Sequence, residues 1–170
     1  MMFAVPEPHT QATPATDGIP SVAIRPATPD DAPAVAELFW QVRTESAPRI
    51  PMIVHPRESV LAFVEHVLIA DGEVWVADDD GRVVGFLALA EPDELGHLYI
   101  ASDHTGRGLG ARFVEVARER FPDGVQLWAF QSNTGALRFY ERHGFVPVEW
   151  TEGDNEEGAP DVRLVWRPRG

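Results

Sequence analysis

Apolar residues recur along this chain at two spacings, and each change of spacing marks an element. Ser21 to Arg25 reads as a short strand. Thr28-Pro29-Asp30-Asp31 then supplies a capping hydroxyl, a first-turn proline and acidic side chains at the positive end of a helix. Val35, Leu38, Phe39 and Val42 follow as one helical stripe. After the proline-rich link Pro48 to Pro56, the stripe Val60, Phe63, Val64, Val67 and Leu68 predicts a second amphipathic helix, with both stripes in the core.

Glu73 to Asp78, a turn at Asp80-Gly81 and Arg82 to Glu91 predict a hairpin whose second strand, apolar on both faces, is central. Pro92-Asp93 turns the chain into a strand from Glu94 to Ala101. A helix from Ala111 to Phe121, the turn Pro122-Asp123-Gly124 and a strand from Val125 to Phe130 complete a βαβ unit with a parallel crossover. Asn133 to His143, stopped by Gly144, predicts a further helix, and Phe145 to Trp150 and Val162 to Arg167 the last strands. The expected class is α/β (α+β), a mixed, mostly antiparallel central sheet of about seven strands flanked by about four helices. The acidic loop Thr151 to Asp161 reads as a solvated hairpin connection in preference to a flap over a substrate.

Composition narrows the function classes. Residues 1–20 are rich in Pro, Thr and Ala without periodicity and predict a flexible N-terminal tail, leaving 21–170 as a single domain. With 14 basic and 27 acidic side chains the net charge is −13, which argues against nucleic acid and anionic membranes as partners and favours an amine-bearing one. There is no cysteine, so thiol catalysis and thiolate metal sites are excluded and a reducing cytoplasm is compatible. The longest apolar run, Val83 to Ala90, is far below the ~18 residues that span a bilayer, so the chain is expected to be soluble and cytoplasmic. His55 and His66 lack metal-ligand spacing, His104 is expected to be solvated, and no metal is expected.

The chemistry concentrates in two places. Gly106-Arg107-Gly108-Leu109-Gly110 stands between a strand and a helix, where converging backbone N–H groups meet the positive end of the helix dipole. Such a turn is a phosphate cradle or a tight structural turn. Its spacing matches neither the dinucleotide fingerprint nor a P-loop. The second place is the helix carrying Asn133 and Tyr140, which stand seven residues and almost two turns apart on one face, roughly 10 Å along the axis. They could grip one extended ligand, or serve as an N-cap and a core residue.

Over residues 21–168 these features resemble the GNAT superfamily of acetyl-CoA-dependent N-acyltransferases. The family's acyl-CoA motif, Gln or Arg, two residues, Gly, one residue and Gly or Ala, falls on Thr105, Gly108 and Gly110, with Thr105 departing from it. The family's second motif, Asn, Tyr seven residues later, then Gly-Phe, matches Asn133, Tyr140 and Gly144-Phe145. The resemblance implies a GNAT-like sheet whose parallel βαβ unit holds acetyl-CoA as cosubstrate. Its pyrophosphate would rest on Thr105, Gly106, Arg107, Gly108, Leu109, Gly110 and Ala111, and its pantetheine arm would pair with Leu98, Tyr99 and Ile100 where the parallel strands splay. Asn133 would contribute to the same site.

The reaction so implied moves an acetyl group to a primary amine by direct attack in a ternary complex, the acceptor being a small amine, a peptide N-terminus or lysine. A noncatalytic acyl-CoA sensor is the alternative. Tyr140 would protonate the departing thiolate. For the base, some relatives carry a Glu at the place of Glu94, while others use a position that is Trp128 here; Glu94 ranks first and His97, with its ordinary pKa of ~6.5, second. The acceptor pocket is expected between the two early helices and the last loop, from Phe39, Trp40, Arg43, Glu45, His55, Glu152, Asp154, Glu156 and Glu157. The resemblance allows a homodimer, with no segment marking an interface.

Overall fold

The computed structural model describes residues 22–169, so the expected tail lies outside the described residues. The elements run β1 (Ala23–Pro26), α1 (Ala32–Glu45), α2 (Arg57–Phe63), β2 (Glu73–Asp79), β3 (Arg82–Ala90), β4 (Glu94–Ile100), α3 (Leu109–Arg120), β5 (Val125–Phe130), α4 (Thr134–Arg142), β6 (Val146–Trp150) and β7 (Asp161–Trp166). A seven-stranded sheet has the order β1-β2-β3-β4-β5-β7-β6. All its pairs are antiparallel except β4 with β5.

The start of α1 follows from local hydrogen bonding. Thr28 donates from its N–H to Asp31 Oδ2 at 2.7 Å and from its hydroxyl at 3.0 Å, while Pro29 needs no N–H partner in the turn that leads into the helix. The Arg25 guanidinium then grips Asp31 at 2.8 and 2.9 Å and Asp78 at 2.9 Å, which fastens β1 and β2 to the entry of α1. The stripe of α1 is buried as predicted. The second stripe holds only in part. Val60 and Val64 are buried, but beyond Phe63 the helix widens into π-helical turns over Val64–Ile69, so a 3.6-residue period loses register and Val67 is exposed.

Strand β3 is central, with Val84 to Leu89 except Gly85 counted in the buried hydrophobic core. Phe39 of α1 packs edge-on against Tyr99 of β4 at 4.9 Å and Phe86 of β3 at 6.3 Å. Helix α3 contributes Phe113, Val114 and Ala117 to the same buried core.

Two irregularities of β4 shape the site. Ala88 pairs with His97 and Leu89 with Leu95, so Gly96 is the extra residue of a bulge. Because Ala88 and Ala90 share a face of β3, their partners His97 and Glu94 also share one, although plain alternation over three residues would oppose them. On its other edge β4 keeps one registered pair with β5, Glu94 with Gln126, and Gln126 N–H donates to Asp93 O at 2.9 Å. Beyond that pair no further register joins the two strands, and Leu98 to Ile100 lie in the part of β4 that β5 leaves.

Candidate active site

The loop before α3 is fixed from outside. His104, expected to be solvated, is buried: its Nδ1 meets Asp103 Oδ1 at 2.7 Å and its Nε2 meets Asp79 Oδ2 at 2.9 Å. Arg82 also donates to Asp103, at 2.9 Å. The hydrogen bond from His104 and then that from Arg82 hold the Asp103 carboxyl below its ordinary pKa. This quartet ties the segment ahead of the glycines to the β2–β3 hairpin. Thr105 donates its hydroxyl to Ser102 O at 2.9 Å, so that side chain serves the turn.

The three glycines separate into two kinds. Gly106 and Gly108 have φ of +72° and +82°, and a Cβ on either would meet nothing within 4 Å. Gly108 is the N-cap of α3 and offers no side chain to the first-turn amides, which have no acceptor within the helix. Their N–H groups are therefore left without a side-chain cap at the positive end of the dipole. Gly110 is buried, and a Cβ there would stand 2.9 Å from the Phe139 ring, so its small size serves the packing of α3 on α4. Arg107 is exposed beside the loop, whereas Arg112 donates to Val22 O at 2.8 Å.

Asn133 caps α4, its Oδ1 accepting the Ala136 N–H at 3.2 Å. Tyr140 on the same helix is fully buried between Phe139 and Phe145, at 5.0 and 5.3 Å. Burial pushes its phenol well above 10, and the nearby Tyr99 adds to this. The Tyr99 phenol, stacked on Phe86 at 5.3 Å, is pushed up to about 12 by burial against the opposing pull of Arg43. Both phenols thus keep their protons at neutral pH.

His97 does not have the ordinary pKa that would recommend it as a base. It is 5% exposed, ringed by Phe39, Phe63, Phe86 and Tyr99, and desolvation, with the Arg43 charge adding to it, pushes it down to about 3. It is a neutral ring in the wall of a pocket of about 260 Å³, together with Phe39, Arg43, Ile53, His55, Val60 and Phe63. Glu94 lines a second pocket of about 480 Å³ with Trp128, Glu149 and Asp154. Glu156 and Glu157 border both pockets.

The acidic loop 151–160 borders both pockets, as the acceptor residues expected from it imply, and is not merely a solvated connection. Buried Arg43 joins Glu157 Oε1 at 3.0 Å to Pro51 O at 2.8 Å, and exposed His55 meets Glu156 Oε2 at 3.0 Å. Asn155 holds the loop internally by donating to Ala159 O at 2.7 Å and Asp161 Oδ2 at 2.9 Å. Of the residues expected around the acceptor, Phe39, Arg43, His55, Glu156 and Glu157 line the first pocket and Asp154 the second; Trp40, Glu45 and Glu152 line neither. Ile53, Val54, Ser59, Val60 and Phe63 line the first pocket unanticipated. For Val60 and Phe63 the helical stripe was the available signal, but it could not separate core from pocket wall. Among the described residues no cluster of His, Asp or Glu is arranged to hold a metal ion, and no helix is long and apolar enough to cross a membrane.

The segment that carries β4, the glycine loop and β5 is matched in sequence: the acetyltransferase (GNAT) domain family covers residues 70–147. This match, together with the curated relatives and the structural neighbours, supports a GNAT-superfamily acetyltransferase. GNAT enzymes draw their acyl group from acetyl-CoA. Peptidyl-lysine N-acetyltransferase YiaC of Escherichia coli is 28% identical over 84% of this chain and 95% of its own. A mycothiol acetyltransferase of Nocardiopsis dassonvillei is 28% identical over 69% of this chain, which spans only 39% of that relative. Among solved structures, apo YjaB of Escherichia coli aligns with a TM-score of 0.68 at 21% identity, over 85% of this chain and 97% of that one. YncA of Salmonella typhimurium, solved with its cofactor acetyl-CoA, aligns at 0.66 and 17% identity, over 88% and 95%. At these identities the structural likeness shows a shared GNAT fold.

Proposed function

We propose that this GNAT chain transfers the acetyl group of acetyl-CoA to a primary amine by direct attack within a ternary complex. The observation that carries this reading is the free stretch of β4 next to the uncapped amides of α3. The amides from Gly106 to Ala111 would take the pyrophosphate, with Arg107 adding charge and Asn133 supporting the same end of the cleft. The pantetheine arm would pair with Leu98 to Ile100 as an added strand. A main-chain N–H of that segment would polarise the thioester carbonyl and hold the oxyanion that forms when the amine nitrogen attacks.

The amine must lose a proton to attack, and Glu94 takes it, directly or through water. His97, neutral with a pKa near 3, is too weak a base for that step. As the C–S bond breaks, the sulfur leaves as a thiolate and Tyr140, kept protonated by burial, donates to it. The proton taken by Glu94 passes to solvent, and the products are the N-acetyl amine and CoA. The acceptor class open to this site is a small amine, a peptide N-terminus or a lysine; the relative YiaC bears the name of a peptidyl-lysine enzyme.

CoA release measured across a panel of amines tests the reading. Turnover is expected, and Tyr140→Phe is expected to lower kcat by ~10²- to 10⁴-fold while leaving acetyl-CoA affinity within a few-fold. Saturable acetyl-CoA binding without turnover of any amine would instead make the chain an acyl-CoA sensor.

A further inference from the structure

The two pockets that share Glu156 and Glu157 differ sharply in chemistry. The first is walled by Phe39, Ile53, Val60 and Phe63, and at about 260 Å³ it has room for a side chain or a small molecule and too little for a length of peptide. Its inner end is hostile to positive charge. His97 is held neutral there, with Nδ1 lacking a hydrogen-bond partner, and the buried Arg43 guanidinium already occupies the neighbouring wall. A lysine entering tip first would bring its ammonium into this apolar, already cationic end, where a desolvated charge is costly.

The second pocket has the opposite character. Glu149 is taken by Arg163 at 2.8 Å, Glu156 by His55 and Glu157 by Arg43, whereas Glu94 and Asp154 have no ion-pair partner among the described residues. Trp128 stands in the same pocket and can offer a ring face to a cation. Glu94 and His97 share one face of β4 through the bulge at Gly96, so the charged and the apolar ends open on the same side of the sheet.

We infer that the acceptor is a primary amine carrying a compact apolar or aromatic group close to its nitrogen, with that group in the pocket walled by Phe39, Phe63 and His97 and the amine outside it beside Glu94. This rests on the N-acetyltransferase reading above. The arrangement orients the acceptor: the apolar group is drawn inward by burial, and the ammonium is held outward where a carboxylate can take its proton. A free arylalkyl or branched alkyl amine and the first residue of a peptide both present this chemistry, and a lysine side chain does not.

The test compares kcat/KM of the full chain for phenethylamine, isoamylamine and ethanolamine, for short peptides beginning with Leu, Phe or Gly, and for an N-terminally blocked peptide containing lysine. The apolar members of either set are expected to exceed ethanolamine, the Gly peptide and the lysine peptide by about tenfold or more. The set giving the higher values identifies the source, free amine or peptide terminus. Equal rates, or preference for ethanolamine or lysine, overturn the inference and leave the N-acetyltransferase reading standing; release of CoA with no amine overturns both. Ser59 is exposed yet lines the pocket, so Ser59→Phe puts a ring into it from the solvent side. That variant is expected to lose the apolar preference while its circular dichroism and acetyl-CoA affinity match the parent. A folded variant that keeps the preference overturns the assignment of the apolar group to this pocket.

Discussion

His97 shows how far a side chain's surroundings can move its chemistry. A strand histidine read from sequence has a pKa suited to proton transfer, but four aromatic neighbours and the Arg43 charge remove that property. A group that titrates near 3 is neutral throughout the range from pH 5 to pH 8. His97→Asn is therefore expected to change the size of kcat/KM but to leave its pH profile across that range unshifted; a lost or displaced limb in the variant's profile would return His97 to the role of base. Tyr140 illustrates the opposite case. Its place seven residues after Asn133 was legible, and burial then adds what spacing could not show, a phenol that stays protonated. His104 was not legible, because Asp79, its partner across the hairpin, lies 25 residues away in the chain.

At the scale of elements, periodicity located every strand and helix to within a few residues, since an amphipathic face must recur at the period of its own backbone. It failed where the backbone departs from that period. The π-helical turns after Phe63 turn Val67 outward, and the bulge at Gly96 reverses which residues share a face with Glu94. A glycine inside a strand hints at a bulge, but the pairing alone fixes its consequence. The glycine loop yields the prediction at this scale. In Gly108→Ala the left-handed φ of +82° costs ~1 to 2 kcal/mol, and relieving that strain shifts the turn that presents the first-turn amides of α3. Calorimetry should show acetyl-CoA affinity falling by more than tenfold, well beyond any loss in melting temperature. An unchanged affinity would mean that the cradle is not the anion site.

Across the whole molecule, the contact of Arg25 with Asp31 and Asp78 joins the first strand, the second strand and the first helix, and its pH dependence can be stated with a sign. The hydrogen bond from Arg25 lowers the Asp31 pKa to about 2. A carboxyl whose folded pKa is depressed stabilises above its unfolded value near ~4 and loses that contribution as pH falls toward 2. Because Arg25 is partly exposed, Asp31→Asn is expected to cost about 1 to 2 kcal/mol at pH 7, with the gap to the parent closing between pH 4 and pH 2 in urea melts. A gap independent of pH would mean that the ionised Asp31 carboxylate is not what stabilises this contact. The sequence by itself determined the order of elements, the mixed sheet and the two GNAT motifs, because all three are written in local periodicity, capping residues and short spacings. Only the tertiary structure decided that β4 parts from β5, that the acidic loop borders both pockets, and that His97 is neutral. Each of those depends on residues far apart in the chain coming together, and burial and charge acquire their energies only from that meeting.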